Sequence, residues 1–243
     1  MVRLNAFGQP IGKELPNWRG ARQPEKIVRM GRYCRLEPIS ALLHSKQLYL
    51  SFNQAADQRD WTYLLSGPFL TLTDYQTYLS HLETCRDPLH YAIMDMMTQQ
   101  AVGTVALMRI DSFNGVIEIG SVIYSSSMKR TRIATEVIFL LLTYVFGELG
   151  YRRLEWKCDA LNAPSRAAAK RFGFTYEGLF RQAVVTRGRN RDTTWYSIID
   201  SEYPALKRAY AQWLLPANFN AQGVQRSKLS KYITEQRAKS CYK

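Results

Sequence analysis

Two clusters in the middle of this 243-residue chain have residue types and spacing suited to chemistry. The first runs Ser125-Ser126-Ser127-Met128-Lys129-Arg130-Thr131-Arg132 and passes into Ile133-Ala134-Thr135-Glu136. It follows an apolar run from Val116 to Tyr124 and opens a helix expected to end near Gly147 or Gly150. A helix start offers unpaired backbone N–H groups and the positive end of the helix dipole, so an anion belongs there. Ile133, Ala134 and Thr135 would aim their amides at a pyrophosphate. Thr131 and Thr135 can add hydroxyl donors, and Lys129, Arg130 and Arg132 supply charge. A basic first turn opposes the dipole when no anion is bound, which favours anion binding over a plain surface helix.

The second cluster, Asp159-Ala160-Leu161-Asn162-Ala163-Pro164-Ser165, follows a strand over 154–158 and precedes a short helix closing on Phe172-Gly173-Phe174. Asn162 can turn the chain, and Ser165 beside Pro164 can start the helix. Both can also face a gap between strands. If the strand holding Glu118 splays from the strand at 154–158, backbone amides near Val122 and Ile123 stay free. An extended pantetheine arm could then complete the sheet.

These clusters need a scaffold, and the flanking sequence supplies one. Residues 1–30 are rich in Pro, Gly, Asn and Gln and read as an extended arm over the domain. A first strand is expected over 33–39, one or two helical turns over 40–52 and a better helix over 73–85. Strands at 90–96 and 101–110 form a hairpin, and Asn114-Gly115 turns into the next strand. Further on come a strand over 175–186, a cationic loop at 187–192, a strand over 193–199 and an amphipathic helix over 204–215. The loop could meet an acidic substrate, although exposed charged loops are usually solvated. The domain is therefore expected to span 31–215. Residues 216–243, basic and without apolar periodicity, read as a solvated tail or a partner-contacting arm.

The formal net charge is +13, and its location matters more than its size. Residues 128–191 hold thirteen Lys or Arg against five acids, and residues 1–40 hold eight against three. Nucleic acid is one target for such charge. Its placement around a helix-opening loop points instead to a phosphorylated cofactor. No apolar run reaches the roughly 20 residues that span a bilayer, and the N-terminal segment lacks the apolar core of a signal peptide. A cytoplasmic protein without membrane contact is the expectation. Cys34, Cys85, Cys158 and Cys241 lie far apart and read as free thiols. The three histidines lack metal-ligand spacing, so no metal is expected.

With these residues in view, about 30–205 resembles a GCN5-related N-acetyltransferase (GNAT), nearest the branch that acetylates ribosomal-protein N-termini. The family's pyrophosphate loop ends in Gly-x-Ala-Thr-Glu. Residues 132–136 fall on that pattern, with Arg132 in place of the glycine and Lys129 where relatives carry Gln or Arg. The family's Asn-x-x-Ser…Gly-Phe pattern matches Asn162, Ser165, Gly173 and Phe174 over thirteen positions.

The resemblance implies an α/β (α+β) GNAT fold. Its mixed, mostly antiparallel central sheet would have about seven strands flanked by helices, splayed between the fourth and fifth. It implies acetyl-CoA as cosubstrate, held by Val122, Ile123, Tyr124, Lys129, Arg130, Thr131, Arg132, Ile133, Ala134, Thr135, Asn162 and Ser165. Acetyl would pass directly to a primary amine, either a protein N-terminus or a small molecule, with a homodimer left open. Glu118 is the favoured base, because a carboxyl buried among Val and Ile would have a raised pKa. Alternation could equally place it on a solvated face. Val122 or Ile123 N–H would hold the oxyanion. Many relatives use a Tyr seven residues after the Asn to protonate the thiolate. Here that position is Ala169, so Ser165 is the expected substitute, with water, Tyr124 or Tyr176 as alternatives. Two other readings stand beside this one: a non-catalytic coenzyme A-binding relative, and a nucleic-acid-binding protein supported by charge alone.

Overall fold

The computed structural model describes residues 3–241. Short extended pieces in the arm, β1 (Arg3–Leu4) and β2 (Pro10–Ile11), pair with each other, and β3 (Arg29–Met30) opens the main sheet. There follow β4 (Cys34–Pro38), α1 (Ala41–Asn53), α2 (Leu72–Thr84), β5 (Leu89–Asp95), β6 (Ala101–Asp111) and β7 (Val116–Tyr124). Next come α3 (Arg132–Leu142), β8 (Arg153–Asp159), α4 (Ala163–Arg171), β9 (Thr175–Thr186) and β10 (Arg189–Ile199). Two helices, α5 (Tyr203–Trp213) and α6 (Leu229–Cys241), close the chain.

The main sheet has the order β3-β4-β5-β6-β7-β8-β10-β9, which is the seven expected strands with the two-residue β3 added at one edge. Every neighbouring pair is antiparallel except β7 and β8, which are parallel. Side chains alternate between the faces of this sheet. Ile117, Ile119, Leu154 and Trp156 join the larger core with Val137 and Leu141 of α3 and Tyr210 of α5. On the other face, Ala92 and Met94 meet Leu48, Phe52, Trp61 and Tyr75 from α1, α2 and their connection.

Several expectations need revision. The segment over 40–52 is a full 13-residue helix, and its buried stripe is Ala41, His44, Ser45, Leu48 and Phe52. Leu42, Leu43 and Leu50 are exposed. His44 can lie inward because its Nδ1 accepts from Ser40 N–H at 3.0 Å and its Nε2 meets Glu37 at 2.9 Å. The cationic loop at 187–192 shrinks to a two-residue turn, since Arg189 already pairs with Thr186. Arg187 and Gly188 take φ of 49° and 70°, as a tight hairpin of this twist requires. The segment 216–243 is no solvated tail through most of its length. Leu229 and Ile233 of α6 enter the main core, and Arg237 donates to the Gly173 carbonyl at 2.8 Å. The helix thereby clasps the Phe172-Gly173-Phe174 turn. Cys34, Cys85 and Cys158 are free, while the thiol of Cys241 lies outside the described residues.

The arm is tied down beyond its hairpin. Trp18 donates its indole N–H to Phe113 O at 2.8 Å, and Ala21 N donates to Ser112 O. Glu25 accepts from Tyr91 and donates to Tyr144. Just beyond it, the buried Glu136 carboxylate of α3 accepts from the backbone N–H groups of Arg32, Tyr33 and Cys34 at 2.9, 2.6 and 2.8 Å. Replacing Glu136 with Ala would strand three inward-facing amides. Each charge-assisted bond contributes about 1.5–3 kcal/mol, so the expected loss is on the order of 3 kcal/mol or more. A lower urea midpoint with an unchanged denaturant slope would show it.

Candidate active site

The site grows from a break in the sheet. Pairing between β7 and β8 runs from Val116↔Arg153 to Ile119↔Trp156 and stops, so β8 supplies no partner to residues 120–124. The cause lies on the other side of β7. Thr104 pairs with Ile123 and Ala106 with Gly120, so two residues of β7 oppose one of β6. This is a β-bulge, with Ser121 at φ 49°, and it bends the strand away from its parallel neighbour. Gly103 makes the close approach possible, because a Cβ there would lie 2.7 Å from Ile123 O.

Past the break, Ser125 and Met128 turn inward and anchor the loop. Thr131 occupies the N-cap of α3 but makes no capping bond, because its hydroxyl donates to Met128 O at 2.7 Å. The first turn of α3 contains no acid and no side chain caps it, so its leading amides have no side-chain acceptor. The basic residues expected around them are only partly gathered. Lys129 is ion-paired with Asp60. Arg132 lies over the Tyr33 ring at 4.2 Å and within 5.8 Å of Phe219. Arg130 is exposed at φ 64°, and no ion pair is found for it among the described residues. Thr135 is fully buried and accepts from Arg171 at 2.8 Å, so its hydroxyl faces inward, away from the cradle. Ala134 is buried beside it, and Ile133 is partly buried.

Across the break, Asn162 Oδ1 accepts from Ser165 N at 3.0 Å and caps α4, with Pro164 in the first turn. Ser165 Oγ accepts from the Trp156 indole at 3.0 Å, which leaves its own proton free to donate elsewhere. Ala169 is completely buried. The Tyr124 hydroxyl is buried without a hydrogen-bond partner, and burial pushes its pKa up. Tyr176 is half exposed and meets Tyr196 edge-on.

Glu118 is 5% exposed, so the solvated alternative is excluded. It projects opposite to Ile117 and Ile119 and lies 3.1 Å from Lys157 Nζ and 3.2 Å from Arg109 Nε. Lys157 also reaches Glu155 at 2.6 Å, and Arg153 continues the row to Glu155 and Glu177. Burial raises the Glu118 pKa, and the attraction of Lys157 and Arg109 offsets only part of that.

The sequence reading missed a cavity of about 250 Å³ between α1, α2 and their connection, lined by Tyr49, Phe52, Trp61, Phe69 and Tyr75 with Asp57. A narrow cleft beside it, lined by Phe52, Asp57, Asp60 and Trp61, reaches residues 123–126. The available signal was the aromatic density over 49–78. The basic hairpin tip lies against this same connection: Arg187 donates to Gly67 O, and Arg189 donates to Thr62 O at 3.4 Å.

The site thus combines a splayed parallel pair with an open helix start in a mostly antiparallel sheet. The chain belongs to the GNAT acetyltransferase family, whose description "Acetyltransferase (GNAT) domain" matches residues 35–175. It is similar to a GCN5-related N-acetyltransferase from Brucella melitensis at 45% identity and a TM-score of 0.88, over 90% of this chain and 100% of that one. A GNAT-family protein from Chromobacterium violaceum matches at 40% identity and TM-score 0.75, over 81% of this chain and 98% of that one. Bacillus subtilis YdaF, named as a candidate ribosomal N-acetyltransferase, is 31% identical over 43% of this chain and 57% of its own length. The match to a Bacillus licheniformis N-acetyltransferase likewise spans less than two thirds of that relative, at 63%.

The family uses acetyl-CoA, and the residues here fit it: uncapped amides at α3 suit phosphate, and the stretch of β7 that β8 leaves without a partner suits an extended amide-bearing arm. Among the described residues no helix is long and apolar enough to cross a membrane, and no cluster of metal-binding side chains occurs. Because Asn162 caps α4, Asn162→Ala should cost about 1 kcal/mol even without ligand, read as a lower midpoint in chemical denaturation.

Proposed function

We propose that this chain transfers acetyl directly from acetyl-CoA to a primary amine, on a peptide N-terminus or a small molecule. The observation that carries the reading is the open edge of β7 at 120–124, which leads to the uncapped start of α3. Acetyl-CoA supplies the activated thioester. The amides at 132–135 and Arg130 bind the pyrophosphate, and Lys129 joins them by exchanging Asp60 for phosphate. Arg132, held over Tyr33, adds its field from one side.

Val122, Ile123 and Tyr124 line one wall of the arm's channel, with Asn162 and Ser165 on the other. The backbone N–H of Val122 or Ile123 stabilises negative charge on the carbonyl oxygen. Glu118 takes a proton from the attacking amine, as its raised pKa suits, and Lys157 stabilises the carboxylate between turnovers. Ser165 has its oxygen engaged by Trp156 and gives its proton to the departing sulfur, regaining one from solvent.

Two outcomes test this. Acetyl-CoA at about 100 times its Kd should stabilise the protein by about 2.7 kcal/mol, seen as a rise in Tm. No rise at saturation would refute the reading. The base must be ionised, so kcat/KM should fall as pH drops through a midpoint above the ordinary 4.5. Glu118→Gln should erase that acid limb and lower kcat by about a hundredfold or more.

A further inference from the structure

The aromatic cavity and the cleft beside it share Phe52, Ala55, Asp57 and Trp61. The two spaces therefore lie against a common wall, and the lining of the smaller one, which has room for about 10 Å³, includes residues 123–126 at the open edge of β7. In a chain of net charge +13, the only charged side chains lining either space are carboxylates, Asp57 and Asp60. Their partners Arg59 and Lys129 stand outside the lining. Asp57 lies in the wall common to both spaces, and its bonds to Arg59 hold its pKa low, so it is charged at neutral pH.

The walls are rings set against one another. Phe52 meets Trp61 at 88° and 5.8 Å, and Trp61 meets Phe69 at 81° and 5.7 Å. Such edge-to-face packing presents one preformed aromatic wall with electron-rich ring faces, while Asn53, Asp57 and Gln58 give the lining a polar side. At about 250 Å³ the cavity exceeds the ~150 Å³ that holds a benzene ring and falls below the ~300–1,000 Å³ of whole-ligand pockets. That size suits one substituent of a substrate.

We propose that this cavity selects the acceptor: a primary amine whose neighbouring substituent is an aromatic ring, laid against the wall of Phe52, Trp61, Phe69 and Tyr75, with its nitrogen at Asp57, which also lines the cleft beside residues 123–126. The proposal rests on the acetyltransferase reading above. A free arylalkylamine and a peptide beginning with an aromatic residue share this chemistry, and the test has an arm for each.

The experiment measures thiol release by the full chain with acetyl-CoA. Acceptors are 2-phenylethylamine against ethylamine, and a Phe-initiated against an Ala-initiated dipeptide amide. The aromatic member of at least one pair should win in kcat/KM by about tenfold or more. The pair that shows the preference identifies the source. Trp61 belongs to the core, so the variants sit at exposed positions. Ala56→Trp intrudes on the cavity and should lower the aromatic-to-small ratio by about tenfold. Asp57→Asn should raise KM for all four amines more than it lowers kcat.

Calorimetric titration of the protein with 2-phenylethylamine gives a readout independent of turnover. Binding that Ala56→Trp weakens supports the pocket. A ratio near one in both pairs, a preference that Ala56→Trp leaves intact, or no binding of 2-phenylethylamine overturns it. Acetyl-CoA's effect on Tm needs no acceptor, so its absence would mark failure of the parent reading instead.

Discussion

Glu136 places a carboxylate inside the protein and satisfies it with three consecutive backbone amides at 32–34. A buried charge without such partners would be prohibitively costly, so this bond set fixes where α3 sits against the start of β4. Gly31 belongs to the same joint, since a Cβ there would collide with the carboxylate at 2.5 Å. The first turn of α3 lies within one turn of Glu136. Fixing the helix therefore fixes the amides of the proposed anion cradle relative to the sheet. Arg171 reinforces the joint from α4 by donating to Thr135. A cradle of backbone amides has no side-chain freedom of its own, and its accuracy depends on this anchoring.

The sheet divides its labour between its faces. On the α3 face the alternating residues of β7 and β8 are apolar and hold the core. On the other face the same strands carry Glu118, Glu155 and Lys157, buried and paired in a row that Arg109 and Arg153 continue. Buried ion pairs contribute little net stability, because desolvation offsets attraction. Their effect here is electrostatic tuning. Burial raises the Glu118 pKa, and one lysine shared by two carboxylates offsets only part of that while fixing the side chain on the strand that breaks open. Lys157 also lies 3.8 Å from the Trp195 ring, so the row is closed off by an aromatic that itself stacks on Phe180.

The connection between α1 and α2 brings three parts of the site together. Asp60 reaches Lys129 of the loop after β7, Tyr63 donates to Leu161 O of the turn before α4, and Gly67 accepts from Arg187 at the hairpin tip. These contacts are exposed and individually weak, so the connection is held in place yet can exchange partners. That Lys129 faces a carboxylate rather than an open cradle follows from this placement.

The sequence by itself determined most of the elements between 33 and 215, the order in which they occur and the family resemblance. Strand alternation, the Asn114-Gly115 turn, the basic helix start and the Asn162…Ser165…Gly173-Phe174 spacing are local, and local backbone preference is read over neighbouring residues. Other features were decided only in the tertiary structure. Arg132 and Lys129 look alike in sequence, but one rests on Tyr33 and the other on Asp60, each partner tens of residues away. Thr135 lies in the helix-opening motif yet faces inward to Arg171. The burial of Glu118 depended on which face β7 presents, and the bulge that opens the sheet depended on its register with β6. The role of 229–241 as a clasp on Gly173, and the aromatic cavity, came from long-range packing. Spacing along a chain specifies what a backbone can offer. Which side chains remain available is settled by partners that only folding brings within reach.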